Sequence, residues 1–356
     1  MTASVPSAGQ LDSTPDAPRW QRLIVAMLIG LFGMSLTLRG LMKGGGIGQT
    51  DLGQVWFAAS AILHHADPYQ LVGPTGFYHH EFTLFYPLTA AVAILPLGLL
   101  DEAVASAVFA FIASAVLAYA VTKKGWDRLP IFVSLPFLIA AHQAQFSPLI
   151  AAGFLLPAVA WTWAAKPTIG LALLASTGSV RAFIIAIVGG AILVLIGLAF
   201  VPQWPAEWLR NVRPQAHMIA PIVRPGGFLA LAALLRWRRP EARLVAAMTL
   251  IPQTTGWWDL VLLLLVAETF RESLVLAVTT MAPLAYEMAF GLGDGILDLY
   301  PRSSLMLMAA SYIPATLIVL RRPNEGPLPA WAELIRRQLV RNRTASLNQD
   351  ASTSGP

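Results

Sequence analysis

Side chains able to do acid–base chemistry, most of the histidines among them, are concentrated in one polar connection. It runs for 39 residues, Lys43 to Glu81, between two apolar runs, and holds Asp51, Asp67, Glu81 and four of the six histidines: His64, His65, His79 and His80. Asp51 follows the Gly-rich GGGIGQT and opens a stretch whose apolar residues recur at helical spacing. A carboxylate placed there can face a pocket and take a proton from an attacking hydroxyl. The plain alternative is that Asp51 is a helix N-cap, with Gln54 three residues on completing a capping box. Asp67 stands before Pro68, where an Asp opens a turn. Within each His-His pair the neighbours point apart, because they lack the i, i+3 or i, i+4 spacing of a helical metal site. A solvated, pH-sensitive surface is favoured over a metal centre, and no cofactor is expected.

A second set of charges lies inside apolar sequence. Lys166 precedes Pro167 at the end of an uncharged run and can hold a phosphate as a point charge, or snorkel to the interface. Arg210, Arg213 and Arg224, in or beside a second polar loop, can add to the same anion site. Asp259, next to Trp257 and Trp258, and Glu287 within a span are costly in a bilayer, so both are candidates for function.

The elements that must position these groups are membrane helices. The 356 residues are 56% hydrophobic and only 12% charged, about half the charge of an ordinary soluble domain, which excludes that class. The absence of Cys excludes disulfides and thiolate chemistry. Net charge is only +5 and no basic face carries interleaved aromatics, so nucleic acid is not an expected partner. Met1 to Pro18 reads as a disordered tail, residues 19–322 as one membrane domain, and residues 323–356 as a cytoplasmic tail. In that tail Trp331, Leu334, Ile335 and Leu339 form one face of an interfacial helix.

The fold class expected is an all-α polytopic membrane protein with about ten to twelve crossings. Leu23 to Leu38, Phe82 to Leu100, Ala103 to Thr122, Ala182 to Val201, Met218 to Leu235, Ser273 to Leu292 and Ser303 to Leu320 read as spans. Asp51 to Leu63 reads as an amphipathic helix on the outer surface. Ile131 to Ala165 is 35 uncharged residues, about 50 Å if straight, so it must turn, at His142 to Pro148. Leu244 to Ala267, broken by Pro252, must go out and return through TTGWW if the arginines of RWRRPEAR and the C-terminal arginines are both cytoplasmic. On this count Lys123, Lys124 and Arg128 fall on the outer side, against the positive-inside rule.

The stretch QTDLGQVWFAASAILHHADPYQ, followed by FYHHEFTLFYPLTAAVAILPLGLL, resembles glycosyltransferase family 87 of the GT-C superfamily. It has an Asp opening a helix, an Ala-rich helix, an Asp-Pro-Tyr turn and a Tyr-Pro motif entering an apolar segment. AAKPTIGLALL and TTGWWDLVLLL resemble two shorter segments of that family. The resemblance implies a GT-C-like fold in a bacterial inner membrane, with its active site on the extracytoplasmic face. The implied activity moves mannose or a pentose from a polyprenyl-phosphate donor to a hydroxyl of a lipid or glycan acceptor, with inversion. Asp51 would be the general base and Lys166, Arg213 and Arg224 the donor-phosphate site. Asp67, Tyr69, His79, His80, Glu81, Tyr86, Trp257 and Asp259 would line the pocket. No Gly-rich nucleotide loop or DxD sequence is present, which suits a lipid-phosphate donor. A flippase for a lipid-linked saccharide, or a degenerate homologue without activity, is the alternative.

Overall fold

Among the described residues three helices are long and apolar enough to cross a membrane: Arg19–Met42, Glu102–Lys124 and Val180–Phe200. The computed structural model describes residues 17–44, 50–80, 82–213, 219–252, 257–290 and 305–353. Residues 1–16 of the expected tail, Glu81, residues 254–256 of the TTGWW hinge with the residue before them, and residues 291–304 lie outside the described residues, as does the side chain of Glu287. Regular structure is almost wholly helical. The exception is a two-residue parallel pairing of Val72 with Tyr78 and Gly73 with His79.

α1 (Arg19–Gly44) and α5 (Glu102–Val121) pack side by side. Gly30 and Gly33 let them approach closely, since a Cβ on either would run into Phe111 or Ser114. The two helices are antiparallel. Arg22, at the start of α1, donates to the Tyr119 carbonyl at 2.6 Å and lies 4.0 Å over the Tyr119 ring near the end of α5. Asp101 caps α5 by accepting from the Ala103 N–H at 2.9 Å. The outward faces of α1 and of α9 (Val180–Phe200) expose Leu23, Leu28, Met27, Ile187, Val188 and Leu195. Rows of bare aliphatic side chains of this kind belong in lipid rather than water.

Between α1 and α5 the chain does not cross, which corrects the expected span Phe82 to Leu100. Pro87 begins α4 (Leu88–Ala93), only six residues long, and a 3-10 turn, Leu95–Leu99, follows around Pro96. A six-residue helix spans about 9 Å, far short of a hydrocarbon core of about 30 Å. The segment returns to the end it left. Trp56 of α2 (Asp51–Leu63) donates to the Leu100 carbonyl at 3.0 Å, and the Tyr78 hydroxyl donates to Glu102 at 2.9 Å. With that crossing removed, α5 ends at the same end of the molecule where α1 begins. Lys123, Lys124 and Arg128 therefore join the other basic clusters instead of opposing them. Arg128 donates to the Ala267 carbonyl at 2.6 Å, beside Glu268, which pairs with Arg239 at 3.1 Å and Arg322 at 3.0 Å.

α2 is also not a surface helix. Leu52, Gln54, Val55, Ala58, Ala59 and Ile62 are buried, and the helix packs on α4, α5 and the Leu95–Leu99 turn. Its apolar periodicity is real, but it covers core rather than lipid. α3 (Pro68–Leu71) follows it.

The long apolar run beyond Arg128 turns where expected. α6 (Leu135–His142) ends, Ala144 takes a left-handed φ of 49°, and α7 (Ser147–Leu155) begins with Pro148 in its first turn. A 3-10 stretch, Pro157–Ala165, leads back to Lys166, and α8 (Pro167–Ser176) departs from there. α9 then leads to α10 (Trp204–Val212). The expected span Met218 to Leu235 is a 3-10 stretch, Gly227–Arg236, entered through Gly226 at φ 75°. α11 (Pro240–Leu250) leaves the basic end, and α12 (Val261–Leu264) returns to it. The Arg239–Glu268 pair fixes both ends of this excursion at one level, as the charge argument required. α13 (Phe270–Phe290) and α14 (Leu305–Leu320) follow. α15 (Ala330–Thr353) starts at the basic end, where the Ala330 N–H donates to the Thr177 carbonyl at 2.8 Å; its Trp331, Ile335 and Leu339 are exposed on one face.

Candidate functional site

Asp51 occupies the first position of α2, and Thr50 is the N-cap in an extended conformation. The capping box does not form. Thr50 makes no side-chain cap; its hydroxyl lies 3.1 Å from that of Ser106. Gln54 turns instead to the His80 ring at 3.2 Å and to the Phe85 N–H at 3.5 Å. The Asp51 carboxylate is thus not spent on its own helix.

It meets Gln145. The Gln145 side-chain amide donates to Asp51 Oδ2, while its Oε1 accepts from the Tyr86 hydroxyl at 3.0 Å and from Lys166 Nζ at 3.4 Å. Lys166 Nζ also pairs with Asp259 Oδ1 at 2.7 Å, and the same oxygen accepts from the Ser147 hydroxyl at 2.6 Å. Lys166 lies 6.0 Å over the Tyr86 ring and 5.7 Å over that of Trp258, within reach of cation–π attraction. Residues far apart in sequence thereby form one connected polar network: Asp51, Tyr86, Gln145, Ser147, Lys166 and Asp259.

Each member is held by a local feature of the chain. Asp51 is fixed by the start of α2. Tyr86 precedes Pro87, and its carbonyl accepts from the Tyr69 hydroxyl at 3.0 Å, so Tyr69 braces it from α3. Gln145 is aimed by the left-handed Ala144, a conformation costing a non-glycine residue about 1 kcal/mol. Lys166 lies outside the helical region, at φ −139° and ψ 82°, because Pro167 disfavours that region for the residue before it. Asp259 sits on a 3-10 turn, Trp257–Leu260, between α11 and α12.

Electrostatically, the network holds two carboxylates and one ammonium. Asp259 is 1% exposed, and its Oδ2 is buried without a hydrogen-bond partner. Burial pushes the Asp51 carboxyl up to about 6; Lys166 opposes that rise and Asp259 adds to it. A carboxyl with this affinity ionises near neutral pH while still accepting a proton readily, which is what a general base requires.

An apolar cavity of about 390 Å³ has the chain neighbours of two network residues among its walls. Trp163, Leu171, Leu174, Ala186, Ile187 and Val194 are among its walls, and Pro87 and Pro167 also line it. Those prolines directly follow Tyr86 and Lys166 in the chain.

The other expected site residues lie elsewhere. Asp67 caps α3, accepting from the Tyr69 N–H at 3.0 Å and from Gln203 at 3.1 Å, which is the turn role its position before Pro68 suggested. His64, His65 and His79 are exposed, and His80 is tied to Gln54. Among the described residues no group of three or more His, Asp or Glu side chains is arranged to hold a metal. Arg213 is exposed at the end of α10 and Arg224 is buried at the turn before Gly227; no described contact joins either to Lys166. Trp257 is half-buried beside Asp259, but Trp258 is the indole that faces Lys166.

No family model, curated protein or solved structure matches the chain. The site therefore has to be read from its own geometry. Sequence reasoning missed Gln145 and Ser147 as site residues. The available signal was the polar interruption His142 to Pro148, which marks a turn but not which side chain points inward.

Proposed function

We propose that the protein is an integral membrane glycosyltransferase of GT-C type that uses a polyprenyl-phosphate sugar as donor. The observation that carries the reading is the Asp51–Gln145–Lys166–Asp259 network, together with an apolar cavity whose walls include Pro87 and Pro167, the chain neighbours of Tyr86 and Lys166. A lipid-phosphate donor presents a charged head and a hydrocarbon tail, and the site offers a cation and a dry groove side by side. Lys166 has three N–H donors and commits two of them, to Asp259 and Gln145, so one is left for a phosphate oxygen. The isoprenoid chain would run along α8 and α9.

In the reaction the acceptor oxygen attacks the anomeric carbon while the bond from that carbon to the phosphate oxygen breaks. The electron pair leaves with the phosphate, where Lys166 stabilises the growing charge. The acceptor proton passes to Asp51. One displacement inverts the anomeric centre, and phosphate needs no protein acid to depart. The basic end, with Arg22, Arg128, Arg239 and Arg322, would be cytoplasmic by the positive-inside rule, which puts Asp51 on the extracytoplasmic side of a bacterial inner membrane.

The broken helices and the buried Lys166–Asp259 pair also suit a transporter of a lipid-linked saccharide. Proteoliposomes loaded with radiolabelled polyprenyl-phosphate mannose and an envelope glycan acceptor separate the two. Labelled glycan together with released polyprenyl phosphate supports transfer. Donor that changes leaflet without losing its sugar points to the transporter and overturns the transferase reading.

A further inference from the structure

The Gln145 amide has two chemically different ends, and its surroundings leave it one orientation. Lys166 Nζ carries only hydrogen-bond donors and lies 3.4 Å from the amide oxygen, so that end must be the carbonyl. Tyr86 adds a hydroxyl donor to the same oxygen at 3.0 Å. The NH2 end is thereby forced onto Asp51 Oδ2, where only an acceptor is compatible. Backbone geometry reinforces this: the Gln145 N–H donates to the Ala140 carbonyl at 2.8 Å, and the left-handed Ala144 fixes the turn. Gln145 is 1% exposed, so water does not compete for either end. Asp51 Oδ1 receives no hydrogen bond in the described network.

From this we infer that Gln145 is the positioning residue of the site: it ties down one oxygen of the Asp51 carboxylate and leaves the other for the acceptor hydroxyl. This rests on Asp51 acting as the base in the proposed transfer, and adds to it a residue whose neutral side chain sets the base's charge and aim. A donor directed at Oδ2 favours the ionised form and opposes the effect of burial. The amide also couples the two halves of the site, since the oxygen that senses Lys166 belongs to the group that holds Asp51. A phosphate that draws Lys166 away from Gln145 weakens one end of the clamp without touching the other.

Other titratable groups around Asp51 are accounted for. Lys166, Asp259 and Tyr86 face it through the network. From α5, Glu102 is occupied by the Tyr78 hydroxyl near Gly53; His80 lies on Gln54; Asp67, at the far end of α2, is held by Tyr69 and Gln203.

The test compares full-length wild type, Gln145→Met and the isosteric Gln145→Glu in lipid nanodiscs. The Asp51 carboxyl is titrated by infrared difference spectroscopy, with its band assigned by its loss in Asp51→Asn. A hydrogen bond to a charged group is worth enough to move the midpoint by about one to two pH units. Gln145→Met should therefore raise it by that much. Gln145→Glu, which keeps the shape but puts an acceptor against Asp51, should raise it at least as far. The acid limb of turnover should move with it, which a purely structural role would not produce. A midpoint that stays at the wild-type value in both variants overturns the inference; if only the Met variant fails to fold, the Glu variant decides it alone. Should wild type transfer no sugar, the transferase reading falls, while the infrared titration still decides whether Gln145 controls Asp51.

Discussion

Removing the Lys166 charge should be among the most damaging single changes in the molecule, and the structure gives its size. Two unit charges 2.7 Å apart attract by about 6 kcal/mol at an effective dielectric near 20. Burying each ion costs several kcal/mol, so the intact pair contributes little net stability. Lys166→Met deletes the attraction but leaves Asp259, 1% exposed, to bear its burial cost with, among the described residues, the Ser147 hydroxyl for support. The expected loss is about 3–5 kcal/mol. Lys166→Met/Asp259→Leu removes both charges and should recover most of that loss. The assay is chemical unfolding in mixed micelles at pH 8. The reasoning is refuted if the single variant lies within about 1 kcal/mol of wild type at pH 8, or if the double variant is no more stable than the single.

Three further outcomes follow from the same geometry. Ala191→Phe, which fills the wall of the apolar cavity, should raise KM for a long-chain isoprenoid donor several-fold and leave a short-chain analogue unaffected; equal loss for both would remove the tail from that groove. Ala144→Gly relieves a left-handed alanine and should leave stability within about 1 kcal/mol of wild type, whereas Ala144→Val should cost more than that, as read by thermal unfolding. Gly33→Leu should separate α1 from α5 and lower stability by about 2 kcal/mol or more, because the new side chain meets Ser114 and the Ala110 backbone; unchanged unfolding would contradict that close packing.

The three helices long and apolar enough to cross a membrane were legible because α1, α5 and α9 each hold an uncharged run of the right length between polar ends. Phe82 to Leu100 had the same composition and misled for that reason. Hydropathy measures what a segment dissolves in, not its direction, and Pro87 and Pro96 break this one before it can cross. That single error reversed the side assigned to Lys123, Lys124 and Arg128. Asp51 stood out in the sequence, but that Thr50 would take the N-cap and Gln54 would turn to His80 did not. Lys166 and Asp259 were each conspicuous as charges in apolar surroundings. Their pairing across 93 positions is a fact of tertiary structure that no local pattern carries. Gln145 was hidden for the opposite reason, being a neutral side chain in an uncharged run whose importance comes entirely from what surrounds it.

The central claim is that the Asp51 carboxylate takes the acceptor proton during sugar transfer, and its most direct test is a pH–rate profile in proteoliposomes under saturating donor. Asp51 is protonated below a midpoint of about 6 and cannot then act as a base, so wild-type turnover should fall off on the acid side with that midpoint. Asp51→Asn should lose about 10²-fold or more in rate and show no such limb. An Asp51→Asn protein that turns over at the wild-type rate, or a wild-type profile flat from pH 5 to pH 8, would contradict it.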